Sequence, residues 1–182
     1  TIDAQSRGRF IETNENFYMK MQNLTIKYGW TSSSGGALFF YKSSLELDGC
    51  VIKDCVSEYN GNDGKDKPKY TGIYMSGSGS VLKMTNTTCE NSIYLTSTEA
   101  TIGSNCTIGT TNPYATDGFI TLDGESTLIL VGDNIFIYKP IYVKNRASTS
   151  SIQIGNYYSY GEQITIKLAS GITNDYSNSN PY

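Results

Sequence analysis

Histidine is absent from the 182 residues, which removes histidine-dependent catalytic triads and histidine-ligated metal sites from consideration. Cysteine is scarce. Cys50, Cys55, Cys89 and Cys106 are too few for a disulfide scaffold in a chain of this length, and none of their spacings is the Cys-x-x-Cys of a zinc knuckle. Charge is thin as well: 14 Lys and Arg against 17 Asp and Glu leave a net charge of -3, dispersed rather than in blocks. No basic stripe is left for nucleic acid or for an anionic lipid surface. No apolar run approaches the ~20 residues that cross a bilayer, so no membrane insertion is expected in this segment. The opening Thr1-Ile2-Asp3-Ala4 lacks the basic, apolar, small-residue order of an export signal. The chain is expected to be a piece of a longer protein, with flanking modules as its neighbours.

What is abundant is Ser, Thr, Asn and Gly, together with 15 Tyr and 18 Gly. Such a mixture favours strands and tight turns over helices. Six stretches start a short apolar strand: Arg9-Phe10-Ile11-Glu12, Gly36-Ala37-Leu38-Phe39, Gly72-Ile73-Tyr74-Met75, Ser92-Ile93-Tyr94-Leu95, Gly118-Phe119-Ile120-Thr121 and Pro140-Ile141-Tyr142-Val143. A second, alternating strand follows each, at Met19/Met21, Leu45/Leu47, Leu82/Met84, Ala100/Ile102, Leu128/Leu130 and Ile152/Ile154, displaced by 7 to 11 residues from the first apolar position. A third continues the register at Leu24/Ile26, Cys50/Ile52, Thr87/Cys89, Cys106/Ile108 and Ile135/Ile137. Between second and third strands stands Asn23, Gly49 or Asn86. Exchange of Asn with Gly at one position marks a left-handed backbone corner.

Strands that recur in like register, with few two-residue Asn-Gly or Asp-Gly hairpins between them, fit a parallel coil better than an antiparallel sandwich or barrel. The expected fold is therefore all-β: one right-handed parallel β-helix domain over residues 1–182, a solenoid of about six rungs. Start-to-start distances run from 20 to 36 residues. The longest contains a loop insertion at about 56–71, carrying the charged stretch from Tyr59 to Lys69.

The run Tyr41-Lys42-Ser43-Ser44-Leu45-Glu46-Leu47-Asp48-Gly49-Cys50-Val51-Ile52, with Gly35-Gly36-Ala37-Leu38 before it, resembles a known repeat. It is similar to the Gly-Gly-Ala-Ile, turn, Leu-x-Leu-x-Asn-Cys-x-Phe pattern of bacterial polymorphic outer-membrane proteins and related adhesin-like β-helix proteins. Leu128 to Ile135 and Pro140 to Val143 resemble the closing rungs of such modules. The resemblance implies an extracellular module of the bacterial cell surface.

Little in the sequence points to catalysis. The best carboxylate pair is Glu46 and Asp48 on the outer side of one strand, yet Glu46 is expected to stack between Lys20 and Lys83 as a solvated charge ladder. The Asn60 to Asp66 loop misses the spacing of an EF-hand. Neither a metal nor another cofactor is expected. Three Asn-x-Thr sequons, at Asn23, Asn86 and Asn105, fall at or near the rung corners, where turn geometry accounts for the asparagines. Cys50 and Cys89 fall in inward columns and read as buried free thiols, with a Cys89 to Cys106 bridge left open on spacing.

The candidate binding residues are Leu38, Tyr74, Tyr94, Ile120 and Tyr142, read as the outward position of the first strand. A contiguous apolar and aromatic ladder of this kind marks a contact site, unless the insertion covers it. Its expected partner is a glycan or a host surface protein. The leading reading is a non-catalytic, adhesin-like surface module. A carbohydrate-active β-helix lyase or hydrolase and a pure structural spacer are the alternatives.

Overall fold

The computed structural model describes residues 1–57, 71–111, 118–139, 141–143, 151–154 and 166–168. Among the described residues there is no helix, and every strand pairing is parallel. One sheet has seven strands in simple chain order: Ile2–Asp3, Thr25–Lys27, Val51–Lys53, Thr88–Cys89, Thr107–Ile108, Ile135–Ile137 and Ile166–Leu168. These are the third strands of successive repeats. A ten-stranded sheet holds the first and second strands, because Thr71–Thr85 and Ser92–Ile102 are long enough to serve both positions. Trp30–Thr31 and Val56–Ser57 make a separate small sheet.

Within the second and third strands the parallel pairing keeps one register and places like on like, the register shifts of Thr71–Thr85 against Ser92–Ile102 falling before Ile73 and between Ser76 and Ser80. Met19, Leu45, Leu82, Ala100 and Leu128 are mutual neighbours across second strands, and Ile26, Ile52, Cys89, Ile108 and Ile137 across third strands. Both alignments agree with the sequence pattern. Interior members of these columns are almost wholly removed from water, which makes one continuous apolar core. Burial of each such side chain contributes roughly 1.5 to 3 kcal/mol before chain entropy is counted.

The first strands deviate from the expected alignment by one residue in three repeats. Ile11, Leu38, Ile73, Ile93, Ile120 and Ile141 are the true column, where the pattern had suggested Phe10, Ala37 and Phe119 beside the others. Each of those three residues precedes its strand, and Ala37 presents its carbonyl to the amides of Phe10 and Ile11. The 56–71 insertion is bounded by Val56–Ser57 and by the strand that starts at Thr71; its interior lies outside the described residues.

Corners repeat as faithfully as strands. Asn23, Gly49, Asn86, Asn105 and Asn134 all have left-handed backbone, with φ of 53, 64, 50, 56 and 57°. Their side chains form an amide chain: Asn134 Nδ2 donates to Asn105 Oδ1 at 3.2 Å, and Asn105 Nδ2 to Asn86 Oδ1 at 3.0 Å. Gly49 has no amide to continue it, and Asp48 Oδ1 accepts from Asn86 Nδ2 instead, at 2.9 Å. The corner before the second strand is held differently. Ser43, Ser80, Thr98 and Ser126 are buried there, and each hydroxyl donates to a nearby backbone carbonyl.

Gly49 tests the corner directly. A Cβ added there meets Asn23 Oδ1 at 2.4 Å, and φ is 64°. Gly49→Val is expected to lose about 1 to 3 kcal/mol, since a β-branched residue resists left-handed backbone. Gly49→Asn should lose clearly less, because Asn tolerates that conformation and the Asn23 side chain can swing aside. Urea midpoints at constant m-value measure both.

Candidate functional site

One residue past the inward isoleucines lies the outer column of the first strands: Glu12, Phe39, Tyr74, Tyr94, Thr121 and Tyr142. Of the five expected contact residues, Tyr74, Tyr94 and Tyr142 stand in it. Leu38 and Ile120 do not; both face the core and are 0% exposed. The correction has a simple cause. Side chains alternate with period two, so the one-residue slip of the first strand sends every side chain of that repeat to the opposite side. Phe39 and Thr121 hold the places assigned to Leu38 and Ile120.

The rings of the column stack on one another. Phe39 and Tyr74 are 5.4 Å apart at their centroids with planes 1° from parallel, and Tyr74 and Tyr94 are 5.2 Å apart at 13°. Arg9 closes one end, with its guanidinium carbon 4.9 Å from the Phe39 centroid. That guanidinium also donates to Gly35 O, Ser34 O, Ser33 Oγ and Thr31 Oγ1, and pairs with Glu12. At the other end of the stack Tyr94 Oη donates to Asp123 Oδ2 at 2.5 Å. Tyr94 and Thr121 are buried at 3% and 1% exposure, whereas Phe39 and Tyr74 are half-buried. Tyr142 is 47% exposed and leans on Phe119 at 5.2 Å and 53°. The stretch from Tyr59 to Lys69, expected as a cover for the column, lies outside the described residues.

Phe39, Arg9, Glu12, Thr121 and Asp123 are members of this site that the sequence reading did not include. Phe39 sits in the all-apolar run Leu38–Tyr41, where alternation gives no phase. Arg9 stands thirty residues before the ring it covers, and no local pattern links the two.

Two carboxylates of the second strands, Glu46 and Asp48, are engaged in the outer ladder. Glu46 pairs with Lys20 at 2.6 Å and accepts from Tyr18 Oη at 2.8 Å, with Lys83 across the next pairing. These contacts hold its carboxyl below the ordinary glutamate range, the Lys20 bond contributing most. Asp48 is lowered chiefly by the Asn86 amide, then by Gln22. Asp3 is lowered first by the backbone amide of Gln5. Among the described residues no group of three or more Cys, Asp or Glu side chains converges as a metal site would require.

All four cysteines are free and buried, including Cys89 and Cys106. Burial raises the Cys55 thiol to about 11 and moves Cys106 in the same direction. Such thiols are poor nucleophiles. The Asn86 and Asn105 sequon amides are occupied within the corner chain described above.

No protein-family model matches the chain, and no curated protein or solved structure proves similar to it.

Asp3, Glu46 and Asp48 share a direction, and it dictates a pH response. A carboxylate held down in the folded state stabilises above its unfolded titration range and loses that contribution as pH falls through it. The unfolding midpoint is therefore expected to fall between about pH 5 and pH 3. Glu46→Gln should flatten this slope when urea midpoints are compared across that range. Cys55 and Cys106 are expected to react with a thiol reagent such as DTNB only after unfolding.

Proposed function

We propose that the chain is a right-handed parallel β-helix, one solenoid domain, acting as a non-catalytic, adhesin-like module of the bacterial cell surface. The repeated parallel pairing of each strand with its counterpart one repeat later supports the solenoid. Right-handedness follows from the general rule that parallel crossovers turn that way in about 98% of cases. The resemblance of Gly35 to Ile52 to polymorphic outer-membrane repeats supports the location.

The observation that carries the functional reading is the outer ring column, Phe39, Tyr74 and Tyr94 in a stack, with Tyr142 beyond it. Tyr142, at 47% exposure, offers the largest open aromatic surface of this column to a glycan or host surface protein. The engagement of Glu46 and Asp48 in ion pairs and hydrogen bonds favours this reading over a carboxylate-based lyase or hydrolase. The burial of Tyr94 and Thr121 favours a spacer as the second reading, because a covered column centre contributes stiffness rather than contact.

Saturable binding separates the two. Labelled full chain is applied to a glycan array and to intact host cells, beside Tyr142→Ala. Binding that weakens about ten-fold in the variant, with stability changed by roughly 0.5 kcal/mol or less, supports the contact module. Absence of saturable binding on either surface would remove it and leave the spacer.

A further inference from the structure

Tyr74 and Tyr94 are direct partners in the parallel ladder, one repeat apart. Their ring centroids lie 5.2 Å apart and their planes within 13° of parallel, so the two phenols are held against each other as a stacked pair. Tyr94 is tied to a proton acceptor. Tyr94 Oη donates to Asp123 Oδ2 at 2.5 Å, within the short range of a hydroxyl bonded to a carboxylate. Asp123 is held in turn, its Oδ1 accepting from Gly124 N at 2.8 Å.

This geometry is suited to oxidation. A phenol that gives up an electron becomes a strong acid at its hydroxyl, and a carboxylate already holding that hydrogen can take the proton in the same event. Tyr94, 3% exposed, is poorly placed to meet a tyrosine of another molecule, whereas the Tyr74 ring is already alongside. We propose that Tyr74 and Tyr94 form an oxidative cross-linking site, at which a one-electron oxidant joins two successive repeats through an intrachain dityrosine, with Asp123 as proton acceptor.

The chemistry balances as follows in atoms and electrons. Two equivalents of a one-electron oxidant remove one electron from each phenol. The hydroxyl proton of Tyr94 passes to Asp123 and that of Tyr74 to water. The two phenoxyl radicals form one carbon–carbon bond between ring positions ortho to oxygen. The hydrogen on each of those carbons then returns to its own phenol oxygen by tautomerisation. Two electrons and two protons leave in total, and the product bridges neighbouring strands covalently.

The test uses the full chain, dilute and monomeric, oxidised by photogenerated tris(bipyridyl)ruthenium(III) with persulfate. Dityrosine fluorescence follows the rate, and peptide mapping identifies the linked residues. The expected product is a Tyr74–Tyr94 link, lighter by two hydrogens and confined to one chain. Tyr74→Phe and Tyr94→Phe keep the ring stack and should each abolish it. Asp123→Asn should slow it several-fold. Near-ultraviolet circular dichroism confirms that the variants retain the wild-type packing. A link that forms without either tyrosine, dityrosine only between chains, or tyrosine oxidation without this link would overturn the site. An unchanged rate in Asp123→Asn would overturn the role of the carboxylate.

Discussion

Parallel pairing in register is the constraint on which the rest of this molecule depends. When each strand bonds to its counterpart one repeat later, every side chain stands against the same position of the neighbouring repeat. Conformational and electrostatic choices then propagate along columns instead of along the chain. A left-handed corner at Asn86 makes one at Asn105 and Asn134 compatible, and their amides satisfy one another. Like charges stacked the same way would repel. The Lys20, Glu46, Lys83 order avoids that by alternating sign across consecutive pairings.

How legible this was in the sequence depended on the contrast within each strand. Second strands such as Leu45-Glu46-Leu47-Asp48 alternate apolar with charged residues, which fixes phase, and the structure keeps that phase. Third strands carry the Asn or Gly corner as an independent marker, and it holds at φ values near 50 to 64°. First strands have neither aid. Leu38-Phe39-Phe40-Tyr41 is apolar on both sides because its outer side belongs to the ring column, so periodicity cannot say which residues face the core. The residues that make the site unusual are the ones that hid its register. The buried hydroxyl column at Ser43, Ser80, Thr98 and Ser126 was invisible for a different reason. Ser and Thr are common throughout the chain, and only pairing across repeats distinguishes these four.

The two outer surfaces so defined differ in character. Second strands present charged and polar side chains that satisfy each other across repeats, as Tyr18, Lys20 and Glu46 do. Such contacts hold a carboxylate ionised in the folded state, and exposed ion pairs add little to stability in water. First strands present rings whose contacts are mostly with one another. The carboxylate beside them, Asp123, is engaged by a tyrosine hydroxyl.

Stacking sets how such rings can meet anything else. In a near-parallel stack the faces of Phe39, Tyr74 and Tyr94 are turned toward their neighbours, and Arg9 covers the outer face of the first. What Phe39 and Tyr74 leave toward solvent is ring edge, the positive rim of the aromatic quadrupole, and Tyr94 is buried. Saccharides stack on ring faces, so the stacked part of the column is poorly disposed to hold a sugar. Tyr142 differs because the column is interrupted at Thr121 before it, and its plane is tilted 53° to Phe119. Repetition built the ladder; past the break in repetition Tyr142 is 47% exposed. On the contact reading proposed above, binding through this side concentrates where the stacking ends, while the stacked rings stiffen the strands that carry it.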